Sequence, residues 1–266
     1  MPTGGLMRIA FSISVALVSL LTTARAGECP FDRNPLSNGA PFGKVYSLIS
    51  TIPKQKDEFE KSSQFLAKQN AALERVEARL GALQGYRGVI AAREVAIGLV
   101  HYDADNEVMS IETENSTFNP LFSIFFLDHS SSESYGFDAV YEEQHGKYTG
   151  ENAFGVTVAI TKTRQYEDFV LFQNHRVPYG LGISFGNSVT FRVPVGVAKQ
   201  LTSNLELAVA GDLAPPFTSY SIERQEPKID NPYDIETRRK VVFVEPRCAV
   251  IRGRSTREIY ARWDSP

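Results

Sequence analysis

The stretch that most constrains the fold of this chain is residues 54–84, which read KQKDEFEKSSQFLAKQNAALERVEARLGALQ. This stretch contains no proline, few β-branched residues and many strong helix formers, so propensity and pattern both predict one long helix over residues 54–85. At 1.5 Å per residue, such a helix would be about 45 Å long. A helix of that length must lie across a sheet or reach a partner.

Apolar residues in this stretch recur every seven positions, which is typical of a coiled-coil seam. One row of the seam consists of Phe59, Leu66, Leu73 and Leu80, and a second row consists of Val76 and Leu83 after polar Ser62 and Gln69. We therefore expect the C-terminal half of an amphipathic helix to pack on the protein's own sheet. The first half, with Phe59 and Leu66, would be able to bind a protein partner or a second copy. The alternative is that the whole seam is ordinary core.

The first 26 residues have the pattern of a cleaved secretory signal peptide. A positive charge at Arg8 precedes an apolar run over residues 9–21, and Ala24 and Ala26 occupy the positions that signal peptidase reads. This pattern predicts cleavage after Ala26 and a periplasmic or extracellular location. The apolar run is short for a transmembrane helix, so membrane contact is not favoured. Lipidation is not expected either, because Glu28 precedes Cys29 where a lipoprotein signal needs a small residue.

Two cysteines occur in the chain, Cys29 and Cys248. An even pair in an oxidising compartment most often forms a disulfide, which here would tie the N-terminus of the exported chain to a strand near the C-terminus. Two separate buried thiols are the alternative.

The hydrophobic pattern changes from helical to alternating after Gly88. A turn at residues 103–106 between alternating segments predicts a hairpin, and further strands follow with no helix between most of them. Residues 27–53, rich in proline and glycine, are predicted to be an extended lead-in with one strand at residues 44–49. The predicted fold is therefore α+β: one long amphipathic N-terminal helix packed on a largely antiparallel β-sheet or sandwich over residues 86–266.

Two motifs resemble catalytic or metal sites and fail in their context. Residues 182–186 (GISFG) match a nucleophile elbow around Ser184, but a strand is predicted after them and no histidine follows His175. Asp103 and its acidic neighbours resemble a calcium loop, but Val108 stands where such a loop needs glycine. We therefore predict no catalytic residue, no metal ligand and no cofactor.

The C-terminal segment is rich in arginine although the whole chain has a formal charge of −3. The candidates for contact with an anion or an acidic partner are Arg252, Arg254, Arg257 and Arg262. The alternative is that this segment neutralises the acidic body of the same protein. Nucleic acid is a poor fit for an exported acidic chain.

These observations favour an exported, non-catalytic binding or interaction protein of the cell envelope, periplasmic or secreted. A secreted hydrolase whose site is assembled from residues distant in sequence is the second hypothesis. The third is a membrane-active protein that uses the long helix or the apolar stretch at residues 121–127 (LFSIFFL).

Overall fold

The structure is a computed structural model that describes residues 29–34, 37–95, 99–112, 123–125, 134–151, 154–172 and 188–264. The helices in these ranges are α1 (Pro30–Arg33), α2 (Phe42–Ile49), α3 (Ser62–Gln84) and α4 (Val195–Thr202). The strands are β1 (Val89–Glu94), β2 (Val100–Asp103), β3 (Val108–Glu112), β4 (Ser123–Phe125), β5 (Ser134–Glu151), β6 (Thr157–Phe172), β7 (Ser188–Arg192), β8 (Leu205–Gln225), β9 (Tyr233–Gly253) and β10 (Ile259–Asp264).

The predicted α+β fold with one long N-terminal helix is wrong, because the chain is mostly β-sheet and its helices are shorter than predicted. The longest helix, α3, begins at Ser62 rather than at residue 54. The Asp57 carboxylate accepts the backbone N–H of Phe59 at 3.0 Å, and the Gln64 side chain accepts the N–H of Lys61 at 3.2 Å. Such side-chain bonds hold residues 57–60 in a turn, and the helix begins after this turn.

Helix α3 buries a stripe of residues spaced by four, not the predicted rows spaced by seven. The stripe consists of Ala72, Val76, Leu80 and Gln84. Leu83, which the seam would bury, is 40% exposed. The helix ends at Gly85, as predicted, where a φ of 74° suits a residue without a side chain.

The lead-in contains a helix where a strand was predicted. Pro41 fixes a φ of −52° directly before α2. Val45 and Ile49, four residues apart, are both buried in the main core. The prediction failed because four residues separate these apolar side chains, whereas a strand would alternate them every two.

Strand β9 organises the larger sheet, whose order in the described chain is β1-β8-β9-β6-β5-β4. Strand β8 pairs with β9 in antiparallel register from end to end. On the other side of β9, the first half pairs with β6 in parallel, and the second half pairs with β10 in antiparallel register. The smaller sheet has the order β2-β3-β7, and its β2–β3 hairpin confirms the one predicted from the sequence.

The strands of the larger sheet pass through two different environments. We call the packed part around residues 205–213 and 241–253 the head, and the part formed by residues 141–151, 154–166 and 222–238 the arm. Both faces of the sheet are covered in the head: one by the main core, which includes α2 and α3, and the other by the cluster around Cys29 and Phe31. The arm continues the same sheet for about 30 Å at 3.3 Å per residue. Among its described residues, only Ile160 and Thr163 are buried.

The predicted disulfide is present between Cys29 and Cys248, whose Cα atoms are 5.7 Å apart. Both cysteines are buried beside Phe31 and Val250. The bond therefore fastens the start of the described chain to the most buried part of β9. Among the helices in the described ranges, none has the length and apolar character needed to cross a membrane.

Candidate functional site: a tyrosine- and arginine-lined face of the arm

One face of the arm carries tyrosines and arginines contributed by all four of its strands. Residues that pair across neighbouring strands project to the same side of a sheet. Register pairs Tyr141 with Tyr166 and pairs Glu236 with both Arg164 and Arg224. Arg238 follows Glu236 by two positions on β9 and so lies on the same side. We call this surface the tyrosine–arginine face.

Three guanidinium groups surround one carboxylate at the centre of this face. One oxygen of Glu236 accepts hydrogen bonds from Arg238 Nε at 2.7 Å and from Arg164 Nε at 3.0 Å, and the other accepts one from Arg224 Nη2 at 3.2 Å. The hydrogen bonds from Arg238 and Arg164 hold the pKa of Glu236 below its usual value. Glu236 is therefore ionised at neutral pH, and two positive charges remain in excess around it.

The tyrosines beside this cluster present flat, partly exposed rings. Tyr141 and Tyr166 are stacked, with ring centroids 4.6 Å apart and an interplanar angle of 10°. The Tyr166 hydroxyl donates a hydrogen bond to Glu143 at 3.2 Å, and the Tyr148 hydroxyl donates one to Asp234 at 3.2 Å. Tyr141 is 48% exposed, and Tyr220 at the base of the arm is 49% exposed. Such rings combine an apolar surface with a polar edge, which suits a binding surface.

The face ends in an apolar groove at the tip of the arm. Gly150 pairs with Val158, and Tyr148 pairs with Ile160, so the groove continues the side of the sheet that bears Tyr148. Its volume is about 200 Å³. The groove is lined by Gly150, Glu151, Val156, Val158, Ile160, Pro227, Lys228 and Ile229. The whole surface is therefore an elongated strip that is charged in the middle and apolar at its end.

The four C-terminal arginines of the sequence analysis lie elsewhere, in the head and at its edge. Arg252 is fully buried, and this burial lowers its pKa. Its Nε donates a hydrogen bond to Glu206 at 2.6 Å, and its guanidinium group stacks over the Phe31 ring, 5.0 Å from the ring centroid. The other pairs join Arg257 to Glu206, Arg254 to Glu94 at 2.5 Å, and Arg262 to Asp32 and, at 2.7 Å, to Asp264. These arginines thus contact the protein's own carboxylates, and their role toward an anion or partner stays a prediction.

The predicted partner surface falls at the N-terminal end of α3. Phe59 lies in the turn before the helix and is 91% exposed, and Leu66 in its first turns is 53% exposed. Binding of a partner or a second copy there stays a prediction. Ser184 and His175 lie outside the described residues.

The acidic turn that resembles a calcium loop is the turn of the β2–β3 hairpin. The Asp103 carboxylate accepts the backbone N–H groups of Asp105 at 3.0 Å and Asn106 at 3.2 Å. The Asn106 side chain also donates a hydrogen bond to this carboxylate, at 2.7 Å. This side-chain bond is the largest influence that lowers the pKa of Asp103, and the backbone bonds add to it. In the part of the chain that the structure describes, no group of three or more metal-binding side chains converges.

The sequence pattern favours two strands, at residues 153–161 and 168–172, joined by a polar connection at residues 162–167. This interpretation hides the tyrosine–arginine face. The structure has one strand there, β6. A signal was present, since Lys162, Arg164 and Tyr166 alternate with the period of a strand and Glu236 and Arg238 repeat that period on β9. Comparisons of the chain with protein-family models, curated proteins and solved structures found no match.

Proposed function

We propose that this protein is an exported, non-catalytic binding protein of the cell envelope, periplasmic or secreted. In this proposal the head is a stable scaffold and the arm is the binding element. The single observation that supports it best is the arm itself: a four-stranded extension of a packed sheet whose side chains are mostly accessible to solvent.

The free-energy cost of ordering such an exposed arm favours a role in binding. Ordering a backbone residue costs on the order of 1–2 kcal/mol, and burial of apolar surface is the main term that offsets that cost. The described arm residues bury little apolar surface, with Ile160 and Thr163 as their only buried side chains. Exposed tyrosines, arginines and apolar tip residues are the composition that protein surfaces use to bind other molecules.

Export is supported by two independent features. The first 26 residues have the pattern of a signal peptide. The Cys29–Cys248 disulfide is a bond that persists in oxidising compartments such as the periplasm or the extracellular space. A tagged full-length chain produced in a bacterium should therefore be recovered outside the cytoplasm with Gly27 as its first residue. Recovery in the cytoplasm with residues 1–26 still attached would contradict this part of the proposal.

The binding role is tested with a variant that keeps the head and lacks the arm. Val140 pairs with Glu167, and Ser221 pairs with Arg239, so each pair can be joined by a two-residue Asn-Gly turn that suits an antiparallel hairpin. The variant replaces residues 141–166 and 222–238 with these two turns. We expect intact mature protein to be retained on isolated envelope material and the shortened variant to be washed off. Equal retention of the two would contradict a binding role of the arm, provided that both melt cooperatively.

A further inference from the structure

We propose that the tyrosine–arginine face binds an acidic glycan, that is, a chain of sugar rings that carries carboxylate or phosphate groups at intervals. This inference rests on the proposed function, since it takes the arm as the binding element and names the class of its ligand.

The charged centre of the face is suited to single anionic groups. A guanidinium carries five N–H donors in a planar fork that matches carboxylate and phosphate geometry. Arg224 uses one nitrogen, Nη2, for its bond to Glu236, and its side chain is 73% exposed. Within the described ranges, this side chain makes no hydrogen bond or ion pair other than the one to Glu236. Arg224 can therefore turn its remaining donors to a ligand while Arg164 and Arg238 keep Glu236 in place.

The aromatic part of the face is suited to sugar rings. A pyranose ring has a flat face of C–H groups that packs against an aromatic ring, while its hydroxyls hydrogen-bond to polar groups at the edge. Tyr141 and Tyr220 are each about half exposed and lie toward the two edges of the four-stranded arm, with the arginines nearby. An inorganic polyanion would use the guanidinium groups but gain little from these rings. The combination of rings and guanidinium groups therefore favours a glycan.

Two further carboxylates lie near the arginine cluster and disfavour a densely charged ligand. Asp234 lies two residues before Glu236 on β9 and accepts the Tyr148 hydroxyl, and Glu143 accepts the Tyr166 hydroxyl and contacts His145 at 3.4 Å. Glu143 places negative charge beside the arginine cluster on the β5 side, and Asp234 places negative charge toward the tip, where Lys162 is its partner in the register. A densely charged polymer would be repelled there, whereas a glycan with one acidic group per ring or fewer can place that group at the cluster and uncharged atoms elsewhere.

The opposite face of the arm supplies matched controls. Lys147 and Tyr233 both pair with Thr161 and so lie on the side away from Arg224 and Tyr141. Lys147 is exposed, and Tyr233 is 48% exposed, the same fraction as Tyr141. Lys147→Gln removes the same charge as Arg224→Gln, and Tyr233→Ala removes the same ring as Tyr141→Ala.

The experiment measures the binding of mature protein, residues 27–266, at pH 7 and fixed ionic strength. The probes are polygalacturonate as the carboxylate glycan, a sugar-bearing teichoic acid as the phosphate glycan, neutral dextran, inorganic polyphosphate and phosphatidylglycerol vesicles. We expect one or both acidic glycans to bind more tightly than the other three probes. Arg224→Gln and Tyr141→Ala should each weaken that binding about tenfold, because charge-assisted hydrogen bonds and aromatic packing are each of this order. Lys147→Gln and Tyr233→Ala should change it less than twofold.

Several results would overturn the inference. The face is not the site if the control variants weaken binding as much as their partners. The anionic groups are irrelevant if dextran binds equally well. The rings are irrelevant if polyphosphate binds best and Tyr141→Ala has no effect, and the ligand is a lipid surface if only vesicles bind. If neither acidic glycan binds, the inference fails. The proposed function is then tested separately, by comparing how well intact protein and the arm-shortened variant are retained on envelope material.

Discussion

The head and the arm share strands β8 and β9 but are stabilised by different interactions. In the head, residues 205–211 of β8 and 248–253 of β9 are all buried. Alternate residues point to opposite sides, with Leu207 and Ile251 in one cluster and Ala208 and Val250 in another. On the N-terminal side of Val241 in β9, the sheet continues as the arm. There, cross-strand ion pairs and tyrosine contacts replace apolar packing.

This difference shows how one sheet can serve two purposes. Apolar burial contributes about 25 cal/mol per Å² and is not directional, so a strand buried on both faces anchors the molecule. An exposed ion pair contributes only about 0–1 kcal/mol, so the arm adds little to global stability. Because the arm's side chains are not buried, they are accessible to a ligand. We therefore expect head substitutions to lower the melting temperature of the whole protein and arm substitutions to act locally.

Removal of the disulfide should produce the largest loss of stability. The bond joins residues separated by 219 positions. The chain-entropy model assigns so long a loop an upper value of about 5 kcal/mol. A Cys29→Ala, Cys248→Ala double variant should unfold at a clearly lower urea concentration than wild type. Reduction of the wild-type protein should reproduce the effect and leave the variant unchanged. Identical midpoints for variant and non-reduced wild type would contradict the prediction.

Leu80→Ala should cost about 2–5 kcal/mol, the usual loss for a buried leucine. Leu80 is fully buried among α2, α3 and the head strands. Phe59→Ala is the control, because Phe59 precedes the same helix and is 91% exposed. We expect urea unfolding to separate the two variants clearly, with Phe59→Ala close to wild type. Equal losses would mean that Phe59 packs in the core, as the alternative interpretation of the seam requires.

The buried position of Leu80 could be predicted from sequence, and so could the disulfide and the β2–β3 hairpin, because each depends on local pattern or on a cysteine count. The start of α3 could not be predicted from sequence, because the turn at Asp57 interrupts a stretch of strong helix formers. The tyrosine–arginine face could not be predicted from sequence either. Its partners Arg164, Arg224 and Glu236 come from three strands, and register between distant strands is fixed by the assembled sheet rather than by local pattern.

Arg239→Gln should act on the arm more than on the head. Arg239 lies at the base of the arm, where Nε donates to Glu167 at 2.7 Å and Nη1 to Glu223 at 2.8 Å. Its loss leaves two carboxylates without their cation and should cost about 1 kcal/mol locally. Hydrogen exchange should speed up in residues 157–167 and 233–240 while the amides of residues 248–252 keep their protection. Uniform loss of protection across both regions would show that arm and head unfold together.

Glu77→Gln should give the smallest change in the free energy of unfolding, and the size of this change depends on pH. Glu77 in α3 contacts Arg87 at 3.4 Å, yet partial burial is the larger influence and raises its pKa above the usual value for glutamate. A carboxyl whose folded pKa is raised costs stability when it is ionised, and this cost disappears as the pH falls below the unfolded pKa, about 4.3. Because the side chain is 31% exposed, we expect glutamine to stabilise the protein at pH 7 by less than about 1 kcal/mol after screening. At pH 4 the variant should have no advantage over wild type. Urea unfolding at the two pH values tests this expectation, and a variant less stable than wild type at pH 7 would mean that the ion pair with Arg87 outweighs the cost of burying the charge.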